Sequence, residues 1–220
     1  MAKRFTLLDD AYYEALLRVT TALELSELPF CLVGGGAVQA WIACLRTGNG
    51  ERRLSEEPVL SASLRGTRDL DFATRTDGAA MLVLLNELAA GAGAGPGAHV
   101  LGARSLRLGR IAVSFTLEPD DLSGMSSLYD VFIDSRRPLR LRRGTRPDEV
   151  PTIGLEELLV TKLTRRGDKA KDILDLTQLL AALRDTQRSV DFARVRDLVG
   201  NRPDALALLD ELASQVHGDP

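Results

Sequence analysis

The chain has 220 residues, 45% of them hydrophobic and 27% charged, with a formal net charge of −3. That balance is of an ordinary globular chain, and it gives no overall charge excess for nucleic acid or a membrane surface. No apolar run approaches the ~20 residues that cross a bilayer, and the N-terminus reaches acids before any long apolar stretch, so neither a membrane span nor a secretory signal is expected.

Residues 8–28 carry Leu8, Tyr12, Ala15, Leu16, Val19 and Leu23 at helical spacing, predicting an amphipathic first helix. "PFCLVGGG" then reads as a short apolar strand ending in three glycines, and "AVQAWIACL" as a helix. No charge falls between Phe30 and Leu45, which predicts a buried strand–turn–helix unit. Residues 47–66 are mostly polar and read as a loop. "DLDFAT" is a strand, "GAAMLVLLNELAA" a helix, and "GAGAGPGA" a linker. "RIAVSFTLE" and "SLYDVFID" are rich in β-branched and aromatic residues and are expected as strands. After Pro151 four helical patterns follow: "GLEELLVTKLTRR", "KAKDILDLTQLLAALRD", "VDFARVRDLV" and "PDALALLDELASQV". The expected organisation is an α/β part over residues 1–150 and a helical part over 151–220.

Cys31 and Cys44 stand in apolar surroundings and read as reduced core thiols of a cytoplasmic protein. His99 and His217 lie far apart with no cysteine near either, so no zinc site is expected.

Chemistry concentrates in "RGTRDLDFAT". Residues i and i+2 of a strand share a face, so Asp69 and Asp71 project side by side while Leu70 and Phe72 turn into the core. Adjacent carboxylates repel, and a cation between them relieves the repulsion. Hard divalent ions such as Mg²⁺ take such oxygen pairs in phosphoryl and nucleotidyl transfer. A third acid is expected from "LYDVFID", where Asp130 lies between Tyr129 and Val131. Gly34, Gly35 and Gly36 follow a strand and open a helix. They fit either a close approach of backbone N–H groups to phosphate or a tight turn needing positive φ.

"VGGGAVQAW", "GTRDLDFAT" and an acid in a later strand together resemble the nucleotidyltransferase fold of the DNA polymerase β superfamily. "RGTRDLDF", "LEELLVTKL" and "KAKDILDL" resemble in particular its AbiEii-like bacterial branch, which includes toxin-type nucleotidyltransferases. The resemblance covers about residues 30–185. It implies a mixed sheet with flanking helices followed by a C-terminal helical bundle. It also implies two Mg²⁺ ions held by Asp69, Asp71 and Asp130, with NTP as substrate. Gly34, Gly35 and Thr67 would touch the nucleotide phosphates, Lys162 would reach the triphosphate, and Asp172 and Asp175 would orient basic groups around the site. The 33 positions from Gly36 to Asp69 are more than the family pattern leads one to expect. On residue spacing alone, Asp172 and Asp175 share a helix face and also suit local pairing, Asp172 with Lys169.

The expected activity is transfer of a nucleotidyl group to an acceptor hydroxyl. The acceptor is RNA, such as tRNA, for a toxin-like enzyme with a cognate antitoxin; the alternatives are an aminoglycoside-type small molecule or a non-catalytic nucleotide-binding module. Residues 135–171 hold eleven Lys or Arg against five acids, among them Arg136, Arg137, Arg140, Arg142, Arg143 and Arg146. This stretch reads as a cradle for a polyanionic acceptor or, more plainly, as a solvated basic hairpin.

Overall fold

The computed structural model describes residues 3–91, 97–117, 129–165 and 169–217, with the side chains of 129, 169 and 215–217 outside that set. Helix α1 (Asp10–Leu25) buries Tyr12, Leu16, Val19 and Leu23 along one stripe. Strand β1 (Phe30–Val33) is buried throughout and passes directly into α2 (Gly34–Arg46), so the three glycines form the first turn of the helix. Residues 47–66 are less irregular than their polarity implies. Leu54 anchors a 3₁₀ turn (Leu54–Glu56) and Leu60 a single-turn helix, α3 (Leu60–Ser63), both side chains being buried. Strand β2 (Asp69–Thr74) leads to α4 (Gly78–Ala90), whose N-terminus is capped by the Asp77 carboxylate accepting from the Ala79 and Ala80 N–H groups, both at 2.8 Å. Strands β3 (His99–Gly102), β4 (Ser105–Leu108) and β5 (Ile111–Leu117) follow.

"SLYDVFID" corrects the expectation of a strand: its described part is a short helix, α5 (Tyr129–Asp134). Phe132 and Ile133, adjacent in sequence, are both fully buried, which strand alternation would not allow against a single packing layer. Asp130 and Asp134, one helical turn apart, meet the same arginine, Arg75. Strands β6 (Arg137–Leu141) and β7 (Asp148–Thr152) form an antiparallel hairpin. Four helices complete the chain, α6 (Leu155–Thr164), α7 (Lys169–Asp185), α8 (Phe192–Val199) and α9 (Pro203–His217). No helix among the described residues is long and apolar enough to cross a membrane.

The strands form one mixed sheet of seven in the order β3-β4-β5-β2-β1-β7-β6. Strand β2 runs antiparallel to β1 and parallel to β5, while β7 runs parallel to β1. Leu70, Phe72, Leu106, Leu108, Val113 and Phe115 are buried on one face, where α1, α2 and α4 pack. Their strand neighbours Asp69, Asp71, Ser105, Arg107, Ala112 and Ser114 alternate onto the other face and are only half-buried. Helix α7 packs along α2, and the buried core runs unbroken from the sheet into α6 and α7 through Leu158, Leu176 and Leu179. The fold class is therefore the expected one: a mixed sheet, flanking helices and a helical C-terminal part.

Candidate functional site

The carboxylate pair sits at the start of β2, where three restraints converge. A two-way backbone bridge ties Phe5 to Thr67, with N···O distances of 2.7 and 2.8 Å. The Gln39 side chain, buried on α2, accepts from the Leu7 N–H at 2.8 Å and donates to the Phe5 carbonyl at 3.2 Å and the Arg65 carbonyl at 3.1 Å. The Tyr12 hydroxyl donates to the Asp69 carbonyl at 3.2 Å, and burial, then Asp71 and Asp69, hold its pKa well above that of a free phenol, so it stays a donor. On this base the Thr67 hydroxyl donates to the Asp69 carboxylate at 3.0 Å.

Gly34 abuts the second acid. Its φ is +65°, and a Cβ there would stand 2.5 Å from an Asp71 Oδ. A Cβ at Gly35 would stand 2.8 Å from the Thr67 hydroxyl. Helix α2, unlike α4 and α8, has no side-chain cap at its N-terminus. The sequence expectations for Gly34, Gly35, Thr67, Asp69 and Asp71 thus fall on residues that the fold gathers into one corner. Burial, and next the neighbouring Asp69, push the Asp71 carboxyl up to about 6; Lys171, Arg165 and Lys162 pull the other way.

Beside this corner lies a buried ion cluster. Lys162 on α6 donates to Asp172 at 3.0 Å and to Asp175 at 2.6 Å, both on α7. Asp175 also accepts from Arg65, two residues before Thr67. The side chains of Lys162, Arg65, Asp172 and Asp175 are each less than a tenth exposed. Arg65 closes the cluster, and sequence reasoning assigned it no role: 110 positions separate it from Asp175. The pairing of Asp172 with Lys169 falls on a side chain outside the described residues.

Asp130 is not brought to the pair. It lies on α5, largely exposed, with its carboxylate 2.8 Å from the Arg75 guanidinium just past the end of β2. Arg75 is four residues along from Asp71, roughly 13 Å of extended chain. On β5, the strand beside β2, the positions opposite Asp69 and Asp71 are Ala112 and Ser114. Among the described residues no group of three or more His, Cys, Asp or Glu side chains gathers into a cage. The pair alone still suits Mg²⁺, which commonly takes one or two carboxylates and fills its shell with water and substrate phosphates. Burial and the neighbouring Asp69 raise the Asp71 carboxyl, and a bound divalent cation would lower it.

Arg140, Arg142 and Arg143 of the basic hairpin also lie elsewhere. Arg142 donates to the Glu51 carbonyl at 2.8 Å, Arg143 to the Leu7 carbonyl at 3.1 Å and the Leu8 carbonyl at 2.7 Å, and Arg140 stands 3.9 Å from Glu149. The Arg140 carbonyl packs against Gly50, beyond the C-terminus of α2. The carboxylates are at the N-terminus of that 13-residue helix, about 20 Å away.

No family profile and no characterised protein sequence matches the chain. Among solved structures, it is similar to the antibiotic-resistance factor ANT(2'')-Ia, at 13% identity and a TM-score of 0.45 over 95% of this chain and 97% of that one. It is also similar to an antigenic nucleotidyltransferase-like protein from Paracoccidioides brasiliensis, at 16% identity and a TM-score of 0.49 over 92% and 93%. At these values neither likeness assigns an activity, a substrate or a site residue to this chain.

Proposed function

We propose that the chain is a nucleotidyltransferase that moves an NMP group from an NTP to an acceptor hydroxyl. The observation that carries this reading is the corner itself: two carboxylates on one strand face, with the glycine turn of an uncapped helix pressed against one of them. Asp69 and Asp71 would hold Mg²⁺, which when bound neutralises the phosphates and the charge developing on the leaving group. Thr67 and Tyr12 fix the posture of Asp69. The free N–H groups at Gly34 and Gly35 favour the triphosphate, helped by the helix dipole. The acceptor oxygen forms the new P–O bond at the α-phosphorus, the bond to the β-phosphate oxygen breaks, pyrophosphate leaves, and the hydroxyl proton passes to water. Positioning and charge neutralisation do most of the work.

The finer assignment is to the toxin-type AbiEii-like branch, a cytoplasmic enzyme with RNA as acceptor and an antitoxin as partner. It is supported by the succession of "RGTRDLDF", Lys162 and "KDILD" along the chain. Lys162 is redefined as a positioning group, since both of its carboxylate partners are buried with it. A second reading, a nucleotide-binding module without turnover, is favoured by Ser114 and Ala112 in place of a third acid. Incubation with Mg²⁺ and NTPs labelled at the α-phosphate, in the presence of total RNA and of small-molecule extract, separates the two. Label transfer that disappears in Asp71→Asn is expected; tight NTP binding with no transfer to any acceptor would leave the binding module.

A further inference from the structure

The sheet face that carries Asp69 and Asp71 continues onto β5 and β4. Register sets Asp69 beside Ala112 and Ala112 beside Arg107; it sets Asp71 beside Ser114 and Ser114 beside Ser105. These side chains are half-buried, and the helices that pack on β4 and β5 cover the apolar residues of the opposite face. Arg107 therefore stands two strands, about 10 Å, from Asp69, with only the Ala112 methyl between them. Its side chain makes no hydrogen bond or ion pair among the described residues. Arg110, in the turn from β4 to β5 at the same end of the sheet, is exposed and likewise has no side-chain partner among them. Arg140, Arg142 and Arg143 of the β6–β7 hairpin contrast with these, being occupied by backbone carbonyls and acids. The ion cluster of α6 and α7 is joined through Arg65 to Gly35 and Thr67, on the α2 side of the pair, which leaves the β5–β4 side for the second substrate.

We propose that this face is the acceptor subsite and that Arg107 binds a backbone phosphate of a single-stranded RNA whose terminal hydroxyl lies at Asp69 and Asp71. The proposal rests on the nucleotidyltransferase reading. A polynucleotide end carries phosphates back from its terminal hydroxyl at regular intervals, so one falls opposite Arg107 and a following one reaches Arg110. The small neutral side chains of Ala112 and Ser114 let the strand lie flat across β5, where a carboxylate would repel it. A cationic acceptor has no group for either arginine.

The test is binding of a fluorescently labelled single-stranded RNA to the full chain without NTP, over a salt series. Arg107→Ala is expected to weaken binding about tenfold at low salt and to lower the log–log salt slope by ~0.7, the share of one phosphate contact on a single strand. Arg107→Lys keeps the slope, and Arg140→Ala stays within about twofold of wild type because its guanidinium lies on the far hairpin. Arg107→Gln, with a matched thermal midpoint, serves where the alanine variant unfolds. A slope unchanged in both Arg107→Ala and Arg107→Gln, an equal loss in Arg140→Ala, or no RNA binding by the wild type overturns the subsite. Calorimetric titration of the wild type with NTP and Mg²⁺ keeps the two failures apart: no nucleotide binding, with RNA binding still dependent on Arg107, overturns the transferase reading instead.

Discussion

Two of the molecule's pairs of neighbouring aspartates are built by different periodicities to the same effect. Asp69 and Asp71 share a strand face; Asp172 and Asp175 share a helix face. The helix pair is matched charge for charge by Lys162 and Arg65, all four side chains buried together. The strand pair has a hydroxyl on one carboxylate and a glycine against the other, and Lys171, Arg165 and Lys162 offset only part of the burial and repulsion at Asp71. The difference teaches where to look for an incoming ligand. A buried set of two acids and two bases, with Arg165 at its edge 4.0 Å from Asp172, holds protein to protein. An acid pair whose second member burial and its neighbour push up to about 6 is one that a bound cation would stabilise.

The largest effect expected from breaking this contrast is on turnover. Asp71→Asn should lower NMP transfer about a thousandfold or more, as removal of a principal charge-stabilising group does. The same variant should be more stable than wild type at pH 7 without metal. The folded value of about 6 lies above the free value of 3.8, so the group's contribution is fully present below about pH 4 and lost as pH rises past about 6. Asparagine removes that pH dependence, which melting curves at pH 4 and pH 7 would read. Added Mg²⁺ should raise the melting temperature of the wild type and leave that of Asp71→Asn nearly unmoved.

At the other pair the loss should fall on stability. Asp175→Ala strands Lys162 and Arg65 with one buried partner and should cost about 3–5 kcal/mol in urea denaturation. A cost below about 1 kcal/mol would mean the cluster is solvated and the contrast void. Smaller still, Gly35→Val should weaken NTP affinity several-fold, since its side chain must displace the Thr67 hydroxyl that a Cβ already meets at 2.8 Å. Equal affinity in a well-folded variant would remove the glycine turn from the nucleotide site. Thr67→Val, which deletes the 3.0 Å bond to Asp69, should cost about 1 kcal/mol and relax the pair slightly.

Periodicity made much of this legible. The helices α4 and α6–α9 fall where the apolar spacing put them, and the shared face of Asp69 and Asp71 follows from strand alternation alone. α5 was misread because Tyr129, Val131, Phe132 and Ile133 favour strands locally, while the burial of Phe132 against Cys31 and the reach of Arg75 to two acids one turn apart favour a helix. With that error went the placement of Asp130. The basic stretch was legible as charge and illegible as location, since only the packing of Gly50 against Arg140 and the grip of Arg143 on the chain before α1 reveal where it lies. Arg65 and Arg107 could not be singled out: one is distinguished by a partner far along the chain, the other by having none among the described residues.

The Arg65 contact has a consequence for how the chain can be cut. Composition changes near residue 150, and a designer seeking a minimal catalytic fragment would divide it there. That cut passes through β7, which pairs with β1 and β6, and takes away Asp175, the carboxylate on which Arg65 rests. A fragment ending at 150 would carry the strand acids, the glycine turn and Thr67, and would keep the Phe5 and Gln39 anchors of their segment while losing the carboxylate that holds Arg65. The helical part thus works as the far half of a hinge pin: a boundary drawn where the texture of the sequence changes crosses a strand pairing and a buried ion pair.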